Sequence, residues 1–189
     1  MKKVGILGGT FNPPHYGHLL IANEVRSALS LDEIWFMPNG EPPHKKKSDS
    51  VNDEDRLNML NLAIKGNDTF KIQTIELERK GKSYTVDTMK LINEKYKDTL
   101  FFFIIGGDMI EYLPKWRNID ELVKLVQFVG VDRPSYSHKA DYPVLYVEIP
   151  EIEVSSSMIR DRCRNRKTVR YLLPDSVIQY IEENHLYET

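Results

Sequence analysis

The residues best suited to chemistry lie in a short stretch near the start of the sequence. Residues 8–18 read Gly-Gly-Thr-Phe-Asn-Pro-Pro-His-Tyr-Gly-His and follow the apolar residues 4–7, a pattern typical of a buried strand. The paired glycines let the backbone turn tightly and approach a ligand closely. His15 and His18 stand where a helix is predicted to begin, and a helix start offers unpaired N–H groups and a positive dipole end. The stretch therefore predicts an anion site, with phosphate as its simplest ligand.

Two familiar phosphate-binding motifs are missing from this stretch. It contains neither G-x-G-x-x-G nor the Walker A pattern G-x-x-x-x-G-K-S/T, so phosphate must be held in another way. We expect Gly17 to leave space for it between the two imidazoles. Two alternatives stay open. In the first, both histidines are ordinary polar surface residues. In the second, they ligate zinc, although a closed zinc site needs four ligands and Cys163, the single cysteine, is far along the chain.

Composition limits the remaining function classes. The 189 residues are 41% hydrophobic and 29% charged, which is ordinary for one globular domain spanning residues 1–189. A net charge of −2 disfavours a nucleic-acid partner, and the longest apolar run, residues 100–105, is far short of the roughly 20 residues that span a membrane. One cysteine permits no intrachain disulfide, and the start lacks the apolar region of a signal peptide. We expect a cytoplasmic protein without nucleic-acid or membrane partners, and a homo-oligomer stays open.

Strand and helix patterns alternate along most of the chain. Short apolar runs predict strands at residues 4–7, 34–37, 70–77, 100–105, 128–131 and 144–147. Amphipathic periodicity predicts helices over about 17–29 and 53–64, and a third helix that is capped by Ser83 and runs to about residue 95. Short helices broken by Pro114 follow, and the tail is predicted to form helices from about residue 156 and after residue 174. The polar residues 39–52 are predicted to form a mobile surface loop.

This alternation predicts the fold class and the place of the site. It indicates an α/β protein with a Rossmann-like, doubly wound parallel sheet and a small helical C-terminal extension, residues 154–189. Sheets of this kind bind ligands at the carboxyl ends of their strands, where the strand order reverses. The candidate site is therefore expected on the loops after residues 7, 37, 77, 105 and 131.

Two segments of the chain resemble the signatures of one enzyme superfamily. Residues 8–18 resemble the first signature of the H-x-G-H nucleotidyltransferases, and residues 154–160, Val-Ser-Ser-Ser-Met-Ile-Arg, resemble their I-S-S-T-x-I-R motif, with Ser157 where Thr is common. Over nearly its whole length the chain resembles the bacterial nicotinate-nucleotide adenylyltransferases. The supporting segments are Pro42-Pro43-His44-Lys45, Ser83-Tyr84-Thr85-x-Asp87-Thr88, Ile105-Gly106-Gly107-Asp108 and Leu113-Pro114-Lys115-Trp116.

The resemblance implies a reaction and an ATP site. Enzymes of this family join ATP and nicotinate mononucleotide, giving nicotinate adenine dinucleotide and pyrophosphate, as a step of NAD biosynthesis. The resemblance assigns the catalytic roles to His15, His18 and Arg160, which would contact the phosphates of ATP. Asp108 would accept hydrogen bonds from ribose hydroxyls. The other ATP-binding residues are expected to be Gly8, Gly9, Thr10, Gly106, Ser155 and Ser156.

The resemblance also implies a pyridine-nucleotide site. Trp116 would stack on the pyridine ring, because offset stacking suits a flat heterocycle. Tyr84 and Thr85 open a predicted helix, so their N–H groups would receive the nicotinate carboxylate. Lys45 would reach the phosphate of the mononucleotide. Phe11 and Asn12 would shape the first loop around both substrates.

This chemistry places modest demands on the protein. The attacking phosphate monoester is already ionised at neutral pH, because its second pKa is about 6, so no general base is required. The protein must instead bring two anions together and stabilise charge on the α-phosphate and the departing pyrophosphate. Mg²⁺ is expected to travel on the phosphates of ATP, held by phosphate oxygens and water rather than by a dedicated protein metal site.

Three related functions compete with this one. Pantetheine-phosphate adenylyltransferases share both signatures, although the segments around Tyr84 and Trp116 favour a pyridine nucleotide. Class I aminoacyl-tRNA synthetases carry a related histidine signature but need a K-M-S-K-S-type loop, which this sequence lacks. A catalytically silent nucleotide sensor is the alternative from outside the enzymes, and it would bind ATP without releasing pyrophosphate.

Overall fold

Six parallel strands form one sheet in the part of the chain that the structure describes. The structure is a computed structural model that describes residues 1–40, 51–79, 83–132 and 141–188. The strands are β1 (Lys2–Gly9), β2 (Glu33–Pro38), β3 (Phe70–Ile72), β4 (Thr99–Gly106), β5 (Gln127–Asp132) and β6 (Val144–Glu148). Their order in the sheet is β3-β2-β1-β4-β5-β6, and every neighbouring pair is parallel. This order confirms the predicted Rossmann-like, doubly wound fold.

Helices lie between the strands from β1 to β5 and after β6. They are α1 (Tyr16–Ala28), α2 (Asp53–Ile64), α3 (Ile75–Glu78), α4 (Thr85–Lys95), α5 (Gly107–Ile110), α6 (Ile119–Leu125), α7 (Ser156–Arg164) and α8 (Asp175–Glu183), with a 3₁₀ helix at Leu113–Lys115. Pro114 lies inside that 3₁₀ helix. No helix in the described ranges is long and apolar enough to cross a membrane.

The two faces of the sheet are buried against different helices. Alternation along a strand sends successive side chains to opposite faces. In β1, Val4 and Ile6 pack in the same apolar cluster as α4 and α6, whereas Leu7 packs with α1 and α2 on the other face. Both faces are therefore covered, as a parallel sheet requires.

The C-terminal helices form a third apolar cluster against α2. Ile159 of α7, Val177 of α8 and Met59 of α2 have no exposed surface, and all three belong to this cluster. Burial of one such side chain contributes about 1.5–3 kcal/mol. The apolar stripe of the tail therefore fixes α7, and with it residues 154–160, beside the main sheet.

The strand order reverses at β1. β2 pairs with one edge of β1 and β4 with the other, so that Leu7 lies level with Phe36 on one side and Ile104 on the other. The connections leave the sheet in opposite directions at such a point, and a crevice opens beyond the carboxyl ends of the strands. The loops after β1, β2 and β4 therefore meet at one edge, as the sequence predicts.

Two local predictions are wrong. Residues 70–77 do not form one strand: the chain leaves the sheet after Ile72, and the Thr74 carbonyl accepts from the N–H groups of Leu77 and Glu78 to start the helical turn α3. Ser83 is not the cap of α4, because Tyr84 is the N-cap residue, and the Tyr84 side chain forms no capping hydrogen bond. The predicted loop at residues 39–52 lies mostly outside the described residues.

Candidate active site

The two histidines cap the first helix reciprocally. His15 is the N-cap residue of α1, and its Nδ1 accepts a hydrogen bond from the Gly17 N–H at 3.1 Å. The His15 N–H in turn donates to Nδ1 of His18 at 3.2 Å. Hydroxyl and carboxylate side chains usually form such a capping box, whereas here two imidazoles do so. The rings stack with their centroids 3.8 Å apart and an interplanar angle of 27°.

Burial sets the charge of both rings, and the capping bonds set which nitrogen carries the proton. Burial lowers the pKa of His15 from 6.5 to about 4. Burial, together with the neighbouring His15, lowers the pKa of His18 from 6.5 to about 3. Both imidazoles are therefore neutral at pH 7. Because each Nδ1 accepts a backbone N–H, the single proton of each ring is on Nε2, which makes both rings hydrogen-bond donors.

Two glycines lie in close contact with aromatic rings. A Cβ on Gly17 would lie 2.9 Å from ring atoms of His15, so the imidazole itself fills the space that the sequence assigned to phosphate. The prediction that Gly17 leaves space for phosphate between the imidazoles is therefore wrong. A Cβ on Gly9 would lie 3.1 Å from the Phe11 ring, which is 1% exposed and meets the His18 ring edge-on. Phe11 holds a left-handed φ of 50°, which is unusual for a bulky residue.

The second signature is bonded directly to the first. Ser156 Oγ donates to the Pro13 carbonyl at 2.8 Å, and Arg160 Nη1 donates to the Asn12 carbonyl at 2.9 Å. These pairs are 143 and 148 residues apart in sequence. Ser155 has a different role, because it is the N-cap of α7 and its Oγ accepts from the Met158 N–H at 3.2 Å.

Sequence reasoning missed two side chains that hold the same loop. Arg56 of α2, 5% exposed, donates through Nη1 to the Thr10 carbonyl and through Nη2 to the Asn39 carbonyl, both at 2.9 Å. The buried Tyr187 donates its hydroxyl to Oδ1 of Asn12. One sequence feature could have revealed Arg56. It precedes the buried Met59 by about one helical turn, so this charged residue lies on the apolar side of α2.

Three of the residues predicted for the pyridine nucleotide, Tyr84, Thr85 and Trp116, lie on the other side of the sheet from Phe11. Tyr84 and Thr85 are the N-cap and first residue of α4. The Arg117 guanidinium lies 4.2 Å from the centre of the Tyr84 ring. Trp116 is half-buried and meets the rings of Phe103 and Phe128 edge-on, with centroids about 6 Å apart. The segments around residues 84 and 116 are thus neighbours, and Trp116 also packs on the core.

The remaining predicted residues lie along the same edge of the sheet, or outside the described ranges. Gly8 is the penultimate residue of β1, and Gly106 ends the neighbouring β4. Asp108 is exposed in the first turn of α5. Lys45 lies outside the described residues. Within residues 1–40, 51–79, 83–132 and 141–188, no three His, Cys, Asp or Glu side chains converge as metal ligands.

We expect the histidine pair to make folding stability depend on pH. The folded pKa values of about 4 and about 3 lie below the ordinary value of 6.5, so the unfolded chain binds more protons between these values. The free energy of unfolding should therefore fall as the pH is lowered from about 6.5, with the loss levelling off below about 3. Urea unfolding across this range checks the expectation.

The matched control is the double variant His15→Asn, His18→Asn. An amide oxygen can take the place of each Nδ1 as acceptor, but the amide does not titrate. The variant should show a flatter pH dependence than the wild type, with carboxylates contributing equally to both proteins. Identical slopes for the two proteins would contradict the assignment.

Comparison with known proteins identifies the family. The Cytidylyltransferase-like family matches residues 6–162. The probable nicotinate-nucleotide adenylyltransferase of Bacillus licheniformis is 58% identical and the nicotinate-nucleotide adenylyltransferase of Bacillus subtilis 55% identical, each over 189 residues and all of both chains. Plasmodium falciparum nicotinic acid mononucleotide adenylyltransferase complexed with NaAD shares the fold, with a TM-score of 0.81 at 22% identity and coverage of 100% of this chain and 98% of that one. The chain belongs to the nicotinate-nucleotide adenylyltransferases, within the cytidylyltransferase-like family.

Proposed function

We propose that the protein transfers the adenylyl group of ATP to nicotinate mononucleotide, forming nicotinate adenine dinucleotide and pyrophosphate in NAD biosynthesis. The observation that carries this proposal is the pair of neutral, stacked imidazoles at the start of α1, bonded through its loop to Ser156 and Arg160. The names of the two Bacillus relatives, at 58% and 55% identity over full length, support the same reaction.

The chemistry follows from what these groups can donate. A phosphate oxygen of the mononucleotide attacks the α-phosphorus of ATP, the bond from that phosphorus to the bridging oxygen breaks, and pyrophosphate leaves with the electron pair. The Nε2–H groups of His15 and His18 stabilise the charge that develops on the phosphates. Arg160, anchored through Nη1 at the Asn12 carbonyl, adds a permanent positive charge. The remaining ATP contacts in this proposal are Gly8, Gly9, Thr10, Gly106, Asp108, Ser155 and Ser156.

The acceptor is held by a separate set of residues in this proposal. The first N–H groups of α4, at Tyr84 and Thr85, receive the nicotinate carboxylate, and the Arg117 guanidinium over the Tyr84 ring adds positive charge beside them. Trp116 stacks on the pyridine ring. Phe11, Asn12 and Lys45 complete the set.

Mg²⁺ enters this proposal as part of the ATP substrate. Magnesium binds mainly phosphate oxygens and water in nucleotide sites, which fits a site of imidazole, guanidinium and hydroxyl donors in which Asp108 is the one carboxylate named. When bound, the ion neutralises charge on the triphosphate. The protein side chains then have to orient the α-phosphate and exclude water.

The test of the proposal is pyrophosphate release with ATP and Mg²⁺. Nicotinate mononucleotide, nicotinamide mononucleotide and phosphopantetheine are compared as acceptors. Rapid release with the nicotinate compound alone is the expected result. Release with phosphopantetheine alone would move the function to another branch of the superfamily, and ATP binding without release for any acceptor would indicate a silent sensor.

We expect loss of the His18 donor to reduce kcat by about 100- to 1000-fold, as for loss of one oxyanion-hole donor. Two variants separate this effect from capping. His18→Ala removes both ring nitrogens, whereas His18→Asn keeps an acceptor for the His15 N–H and lacks the Nε2–H. Both should lose kcat, and only the alanine variant should also lose stability. Turnover near that of the wild type in His18→Asn would refute the catalytic role.

We expect Trp116→Ala to raise the KM for nicotinate mononucleotide about 5- to 10-fold with little change in kcat, because stacking contributes roughly 1 kcal/mol. Phe128→Leu is the control, since it loosens the packing under the indole but keeps Trp116 itself, and its KM for nicotinate mononucleotide should stay near that of the wild type. A KM that stays unchanged in Trp116→Ala would mean that the indole serves only as core packing.

A further inference from the structure

We propose that Arg56 is a positioning residue that fixes the loop after β1 against the loop after β2 and thereby sets the spacing of the two substrates. The inference rests on the proposed function, since one of its readouts is adenylyl transfer. Arg56 itself belongs to α2 and to neither signature. It acts through the backbone of residues that lie nearer the substrates.

The geometry of the guanidinium carries the argument. Nη1 bonds the Thr10 carbonyl and Nη2 the Asn39 carbonyl, so one rigid plane joins two loops that are 29 residues apart in sequence. A second bond, from the Asn39 N–H to the Gly9 carbonyl at 2.9 Å, closes the same junction. Arginine suits this task because its donors form a fixed fork and its charge is permanent.

The buried charge of Arg56 makes its hydrogen bonds necessary. Arg56 is 5% exposed, and a buried charge is costly unless it is fully hydrogen-bonded. Asp53 supplies one charged partner at 2.6 Å, but its side chain is 51% exposed, so solvent weakens that attraction. The two loop carbonyls therefore supply bonds that the buried guanidinium needs in addition to the ion pair.

The junction includes Gly9 and Thr10 of the proposed ATP set and leads into segments of the proposed acceptor set. Thr10 leads directly into Phe11 and Asn12, and Asn39 leads into the segment that contains Lys45. The histidine rings have their own support, because the capping box and the bonds from Ser156 and Arg160 do not pass through Arg56. Loss of Arg56 should therefore disturb the acceptor more than ATP.

The decisive variant is Arg56→Met, which keeps the aliphatic stem and removes every donor. We expect kcat to fall about 10- to 100-fold and the KM for nicotinate mononucleotide to rise several-fold, because a displacement of about 1 Å can cost two orders of magnitude. The KM for ATP should stay within about twofold of the wild type. Arg56→Lys, which keeps the charge but not the fork, should recover only part of the loss.

Two control variants separate positioning from stability. Asp53→Asn removes the ion pair but leaves both bonds to the loop carbonyls, and it should retain the kinetics of the wild type. Leu31→Ala opens a gap in the apolar core just before β2, at the opposite end of that strand from the loop that Arg56 holds. It should lower stability and leave the KM values unchanged.

Amide hydrogen exchange provides a readout that does not depend on the reaction. Arg56→Met should speed exchange at the Asn39 and Gly40 amides relative to both the wild type and Leu31→Ala. Unchanged exchange there, kinetics within about twofold of the wild type for Arg56→Met, or a Leu31→Ala variant with the same kinetic loss, would each overturn the proposal. If the wild type itself shows no turnover with nicotinate mononucleotide, the proposed function fails, and exchange alone decides whether Arg56 restrains the loops.

Discussion

The structure of the site depends on the carbonyl groups of the loop after β1. A loop that turns sharply between a strand and a helix cannot pair its carbonyls within either element, and buried carbonyls need donors. The donors come from distant parts of the chain: Asn39 bonds Gly9, Arg56 bonds Thr10, Arg160 bonds Asn12 and Ser156 bonds Pro13. The loop is therefore held through its backbone carbonyls, and most of the donors that hold it are side chains from distant parts of the sequence.

One helix, α2, connects these supports. Its Arg56 reaches the loop, while its Met59, fully buried, packs with Ile159 of α7 and Val177 of α8. Because that cluster fixes α7, it also fixes Ser156 and Arg160 at the distance from which they reach Pro13 and Asn12. Apolar packing in the C-terminal helices thus positions polar side chains at the loop. Burial of a few side chains far from the crevice decides where the donors of the second signature lie.

The sequence predicted the layers of the fold better than the details of the site. Residues 100–105 are so apolar that they predict a central strand. The glycines and histidines after β1 indicate the loop by residue type alone. Residues 70–77 were harder, because the alternation of Ile75 and Leu77 is compatible with a strand, yet Thr74 begins a helical turn. The bonds of Ser156 and Arg160 join positions more than 140 residues apart, and no local pattern encodes such a contact. Arg56 was missed for the same reason, since its acceptors are main-chain atoms that any residue could supply.

The neutral histidines give the site a specific electrostatic character. Two imidazolium ions stacked 3.8 Å apart would repel, and burial penalises each charge further, so the pair donates hydrogen bonds without carrying charge. Their donor capacity then needs no protonation step and should persist well below neutral pH. Arg160 differs from the histidines in this respect, because its guanidinium carries a permanent charge, and its bond to the Asn12 carbonyl holds that charge at the same loop.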